Sequence, residues 1–135
     1  MRVVVDANIA FRALCRARGD LRASLSEGQS VDFFAPFFVF VELFKHKERI
    51  EKQSRLPEED VLNALHELCE SLNFIHESDI PVGTWMEAHR LTGDIDPKDT
   101  PYVALSLHLS ASLWTYDKAL EEGLRGKGFE AFWSP

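Results

Sequence analysis

The sequence predicts an α/β fold, a three-layer α/β/α sandwich around a central parallel sheet, on three observations. Short apolar runs without polar alternation, led by the β-branched "RVVVD", suit strands covered on both faces. The first two such runs are each followed by a segment of helical spacing, "ANIAFRALCRAR" and then "PFFVFVELFKHKERIEKQS", and strand and helix patterns keep alternating to the end of the chain. A chain of 135 residues, 45% of them apolar, has the size of one domain with its own core, so residues 1–135 are read as a single unit.

Along the chain, "RVVVD" is the first strand, and the helix after it carries Ile9, Ala13, Leu14 and Ala17 at helical spacing before ending at Gly19. A short helical piece, "LRASLSEG", precedes a second strand, "SVDFFAP". Pro36 suits the first turn of a long helix running to Ser54. "PEEDVLNALHELCESL" is amphipathic, with Val61, Leu62, Leu65, Leu68, Cys69 and Leu72 on one face and acids in the first turn, where the helix dipole favours them. "NFIHE" follows as a third strand, then the helices "PVGTWMEAHRL" and "TPYVALSLHLSA", the strand "SLWTYD", the short helix "KALEEGLR" and a terminal strand "FEAFW". There is no internal repeat, low-complexity tract or linker.

The net charge of −7 is the wrong sign for a broadly basic nucleic-acid-binding surface, so any such contact needs a local basic patch or a bound metal. Arg12, Arg16 and Arg18, together with Lys45, His46, Lys47 and Arg49, are the candidates. Cys15 and Cys69 form no C-x-x-C pair and are expected as buried free thiols. "MRVVVDAN" lacks the long apolar core of a secretory signal, and no apolar stretch is long enough to cross a bilayer, which predicts a soluble, cytoplasmic protein.

The acids carry the chemistry. Asp6 closes the first strand, Asp117 follows "SLWTY", and Asp96 and Asp99 stand at the entrance of "TPYVALSLHL". Functional groups of open α/β sheets gather beyond the carboxyl ends of the strands. Glu42 lies inside "FFVFVELF", where a buried charge is expensive unless a cation, a proton or a hydrogen bond offsets it. Each acid also has a plainer role: Asp6, Asp96, Asp99 and Asp117 can cap helix starts, and Glu42 can point to solvent. Carboxylates that converge on one sheet edge repel one another, and so take up protons or bind a multivalent cation. Oxygen ligands without paired thiolates or histidines favour magnesium or manganese over zinc, and the histidines at 46, 66, 76, 89 and 108 form no H-E-x-x-H pair.

In this order and spacing, "VVVDAN", "VEL", "DPKDTPYVALSL" and "LWTYDKAL" resemble the PIN domain, whose members include VapC-type toxin ribonucleases and related stand-alone metal-dependent nucleases. The "EL..HK" helix is closer to the stand-alone proteins than to the most compact toxins. The resemblance spans nearly the whole chain. It implies an acidic metal centre of Asp6, Glu42, Asp99 and Asp117 holding Mg2+ or Mn2+, with Asn8 and Thr115 orienting ligands and Asp96 at its margin. The implied activity is endonucleolytic hydrolysis of RNA phosphodiester bonds, with single-stranded RNA as substrate. The implied partners are a second copy in a homodimer and, in toxin members, an antitoxin over the acidic pocket. The competing readings are a non-catalytic RNA- or protein-binding module of the same fold, and a receiver-like phosphoryl-transfer domain that uses a strand-end aspartate with Lys118.

Overall fold

The computed structural model describes residues 1–15, 30–54 and 57–135. The predicted end of the first helix and the helical piece "LRASLSEG" lie outside the described residues. Strands β1 (Arg2–Val5), β2 (Asp32–Pro36), β3 (Asn73–Ile75) and β4 (Ser112–Trp114) form one sheet in the order β3-β2-β1-β4. Every neighbouring pair is parallel, with Val4 opposite Phe34 on one side and Leu113 on the other. The consecutive residues Val3, Val4 and Val5 are all fully buried. Successive strand residues point to opposite faces, so the sheet is covered on both, as the unalternating run predicts.

The helices are α1 (Ala7–Cys15), α2 (Phe38–Lys45), α3 (Lys47–Ser54), α4 (Glu58–Ser71), α5 (Val82–Thr92), α6 (Thr100–Leu109) and α7 (Lys118–Gly126). α6 lies on β1, β2 and β4 with α5 packed against it, while α1 gathers α2, α3 and α4. Buried Tyr102, Leu105, Leu113 and Trp114 centre the core. Each large apolar side chain removed from water contributes about 1.5–3 kcal/mol to it. No helix among the described residues is long and apolar enough to cross a membrane.

Three predicted boundaries differ from the structure. Pro36 ends β2 instead of opening a helix, opposite Ile75 of β3. The single helix predicted to Ser54 breaks at His46, whose backbone (φ −110°, ψ 17°) is not helical. The terminal "FEAFW" pairs with β4 through one bridge, Leu113 with Phe132, and its Trp133 ring lies 5.1 Å from Trp114 and 5.6 Å from Phe33. Cys69 is a free thiol, partly rather than fully buried.

Two tethers fix the segment that carries Asp96 and Asp99. The Thr92 hydroxyl donates to the Ala88 carbonyl at 2.9 Å and meets the Thr100 hydroxyl at 2.7 Å, joining the end of α5 to the start of α6. Lys127 binds the Leu91 carbonyl at 3.1 Å and pairs with Asp94, which ties the end of α7 to the end of α5.

Candidate metal centre

The chain steps from β1 to β2 to β3 in one direction and returns to place β4 on the other side of β1. The sheet order therefore reverses between β1 and β4, and Asp6 and Asp117 follow the carboxyl ends of those two strands. Such a switch point leaves a crevice, because the connections on either side of it run away from each other.

Asp6 is buried, at 3% exposure, and its Oδ1 accepts the Ile9 amide at 3.0 Å. Burial raises its pKa above the usual carboxylate range, and nearby Asp117 adds to the rise. Hydrogen bonds from the Thr115 hydroxyl and from the Ile9 and Asn8 amides oppose it. Thr115 Oγ1 also accepts the Asp117 amide at 3.0 Å, so one hydroxyl links the two strand-end acids. Asp117 in turn caps α7, its Oδ1 accepting from the Leu120 amide at 3.1 Å.

Glu42 enters from α2, between buried Val39 and Leu43 and exposed Val41 and Phe44. It does not simply face solvent: it is half-buried, and its Oε1 accepts the Tyr102 hydroxyl at 3.0 Å. Burial raises its pKa; Tyr102 opposes this, Asp6 adds to it, and Lys98 and His46 lower it again. The Tyr102 hydroxyl is itself pushed well above its usual pKa by burial and by Glu42. The first turn of α2 is capped from outside, its Phe38 amide donating to Glu77 Oε1 at 2.7 Å.

Asp99 differs from the other three. It stands at the N-cap of α6 yet makes no capping hydrogen bond through its side chain. The capping in this segment falls to Asp96, whose Oδ1 accepts the Lys98 amide at 3.0 Å and opens a single 3-10 turn at Pro97–Asp99. Burial pushes Asp99 up to about 7, with Asp96, Asp6, Asp117 and Glu42 all raising it. Asp99 thus lies within electrostatic reach of the other three acids predicted from the sequence. Among the described residues, however, no three acidic, histidine or cysteine groups are drawn tightly enough together to hold an ion as they stand. Glu42 is anchored on Tyr102, and Asp117 on the Leu120 amide of α7.

A family model described as PIN domain matches residues 4–131. The chain belongs to the PIN domain family. The fold of this PIN domain is also that of a chain in the crystal structure of VapBC2 from Rickettsia felis bound to a DNA fragment from their promoter. The two share 15% identity with a TM-score of 0.66, over 87% of this chain and 89% of that one. No curated protein sequence matches it.

The donor set of the PIN domain fits a hard divalent cation. It consists of carboxylates, three of them with proton affinity raised chiefly by burial and further by their acidic neighbours, and it includes no thiolate. Asn8 is exposed, and it reaches Asp6 through its backbone amide rather than by an observed side-chain bond. Sequence reasoning missed Tyr102. It lies three residues after Asp99, within the helix that Asp99 precedes, and that closeness to a predicted ligand was the available signal.

Proposed function

We propose that this PIN domain is a divalent-metal-dependent endoribonuclease that hydrolyses RNA phosphodiester bonds at Asp6, Glu42, Asp99 and Asp117. Family membership supports nuclease chemistry, since PIN domains are typically nucleases. The observation that carries the site is Asp99, an acid at a helix entrance that does not cap and whose pKa its acidic neighbours help push up to about 7. Such an arrangement stores repulsion that a cation relieves.

Asp6, Glu42, Asp99 and Asp117 would hold Mg2+ or Mn2+, which when bound lowers the pKa of water and offsets charge on the phosphate. The chain's own residues prepare the site. Thr115 joins the Asp6 carboxylate to the Asp117 backbone amide, and Tyr102 holds Glu42 toward α6. Burial of Asp6 excludes water from one side of the centre. Lys98 supplies positive charge beside Glu42, where a phosphate would approach.

The test is cleavage of single-stranded and structured RNA with added Mg2+ or Mn2+, comparing wild type with Asp6→Ala and Glu42→Ala. Wild type is expected to cleave and each variant to lose about 100-fold or more, in line with removal of a group that stabilises the transition state. Equal cleavage by variants and wild type would contradict the assignment. Likeness to the VapBC2 assembly extends the proposal to an antitoxin protein that covers the acidic cleft; a partner that bound without suppressing cleavage would argue against that role. The receiver-like alternative draws no support from Lys118, which is exposed at the start of α7.

A further inference from the structure

We propose that Arg12 and Arg49 form a subsite that holds an unpaired nucleotide of single-stranded RNA beside the acidic centre. The inference rests on the nuclease reading and adds to it the residues that choose the form of the substrate. A cleft of about 440 Å³ lies between α1 and α3, bounded among the described residues by Phe11, Arg12, Arg49, Gln53, Tyr116 and Asp117, with Asn8 in its wall. A second cleft of about 100 Å³ shares Asn8, Phe11 and Arg49 with the first and reaches Glu42. Together they make one furrow across α1, with one predicted ligand at each end. The larger part falls within the range of small-ligand pockets.

Both arginines are set on aromatic rings. Arg12 Cζ lies over the Tyr116 ring at 4.7 Å from its centroid, and Arg49 Cζ over the Phe11 ring at 5.3 Å. Each pairing restricts a long side chain and presents a planar cation at the furrow, suited to stacking on a base or to forked hydrogen bonds with a phosphate. Among the described residues their charge is also uncommitted. Arg90 and Arg125 pair with Glu87 and Glu121 at 2.6 and 3.0 Å, whereas among the described residues neither Arg12 nor Arg49 enters an ion pair. In a chain of net charge −7, two exposed arginines that make no ion pair among the described residues, set beside a group of acids, mark where a polyanion is received. Base faces are offered by single strands and hidden in a duplex, so a stacking cation selects the unpaired form.

The test uses the full chain with Ca2+ in place of Mg2+, a labelled 12-nucleotide single-stranded RNA, a duplex of the same length, and fluorescence anisotropy, with gels verifying intact RNA. Arg12→Ala and Arg49→Ala are each expected to weaken single-strand binding ~5-fold or more, the scale of losing one stacked base. Arg12→Lys keeps the charge and loses the plane. It is expected to stay nearer to Arg12→Ala on the single strand while matching wild type on the duplex. Unchanged single-strand affinity in both alanine variants overturns the proposal, even if they lose a protein partner, and so does full recovery by Arg12→Lys. Cleavage assays on the same proteins separate the two readings. A wild type that cleaves, with KM unaltered in both alanine variants, overturns the subsite alone. A wild type that binds with the expected variant pattern but never cleaves supports the subsite and overturns the nuclease assignment.

Discussion

Asp99 occupies a capping position and leaves the cap unmade, which turns a routine helix start into a titrating group. Its pKa is raised from 3.8 to about 7, so between those values the folded chain binds more protons than the unfolded one. Stability of the ion-free protein therefore falls as pH rises from about 4 to about 7, and below pH 4 the group contributes nothing. Asp99→Asn removes the titration. In urea unfolding with chelator present, it is expected to raise stability at pH 8 by about 1–2 kcal/mol and to leave pH 4 unchanged. The gain stays below the full shift because the carboxyl reaches solvent. Destabilisation at pH 8 would mean that the Asp99 charge is already compensated. The positions of Asp6, Asp99 and Asp117 were legible because strand ends and a proline-marked helix entrance are local signals. The Glu42–Tyr102 bond spans 60 positions in sequence, and only the tertiary fold brings the two side chains together.

Elements with strong periodicity were legible for the same local reason, and their boundaries were not where tertiary pairing decided them. Pro36 suits a helix start, but its place opposite Ile75 holds it in the sheet, where the donor it lacks is tolerated toward a strand end. His46 continues the helical pattern in sequence, yet the chain turns there so that Ile50 of α3 is also buried. The end of α6 follows the opposite logic. Ser110 closes it in the left-handed conformation (φ 50°, ψ 43°), with the Ala111 amide on the Ser106 carbonyl at 2.9 Å. That conformation costs a side chain about 1–2 kcal/mol and glycine none, against about 0.5–1 kcal/mol for glycine's greater unfolded freedom. Ser110→Gly is therefore expected to stabilise the chain by about 0.5–1 kcal/mol in denaturant unfolding; a loss of stability would show that the hydroxyl contributes more than the backbone relief.

Across the whole molecule, one sheet order creates both the crevice and the charge problem within it. Apolar surface beyond the core is also left over: Phe37, at the N-cap of α2, and Val41 and Phe44 within it are 45–59% exposed at helical spacing. On that surface we base the proposal of a homodimer. Sedimentation equilibrium is expected to show a dimer that Phe44→Glu converts to monomer, and a wild-type monomer at tens of micromolar would contradict it. We propose one divalent-ion site built by acids beyond the ends of β1 and β4, within α2 and at the entrance of α6. Calorimetric titration of Mn2+ into the RNA-free protein at pH 8 and pH 5, for wild type and Asp99→Asn, tests it most directly. Binding is expected in wild type at pH 8, with about tenfold or greater weakening at pH 5, where protons occupy Asp99, and similar weakening in Asp99→Asn at pH 8. No binding by wild type at pH 8, or equal affinity in wild type and variant, would contradict the account.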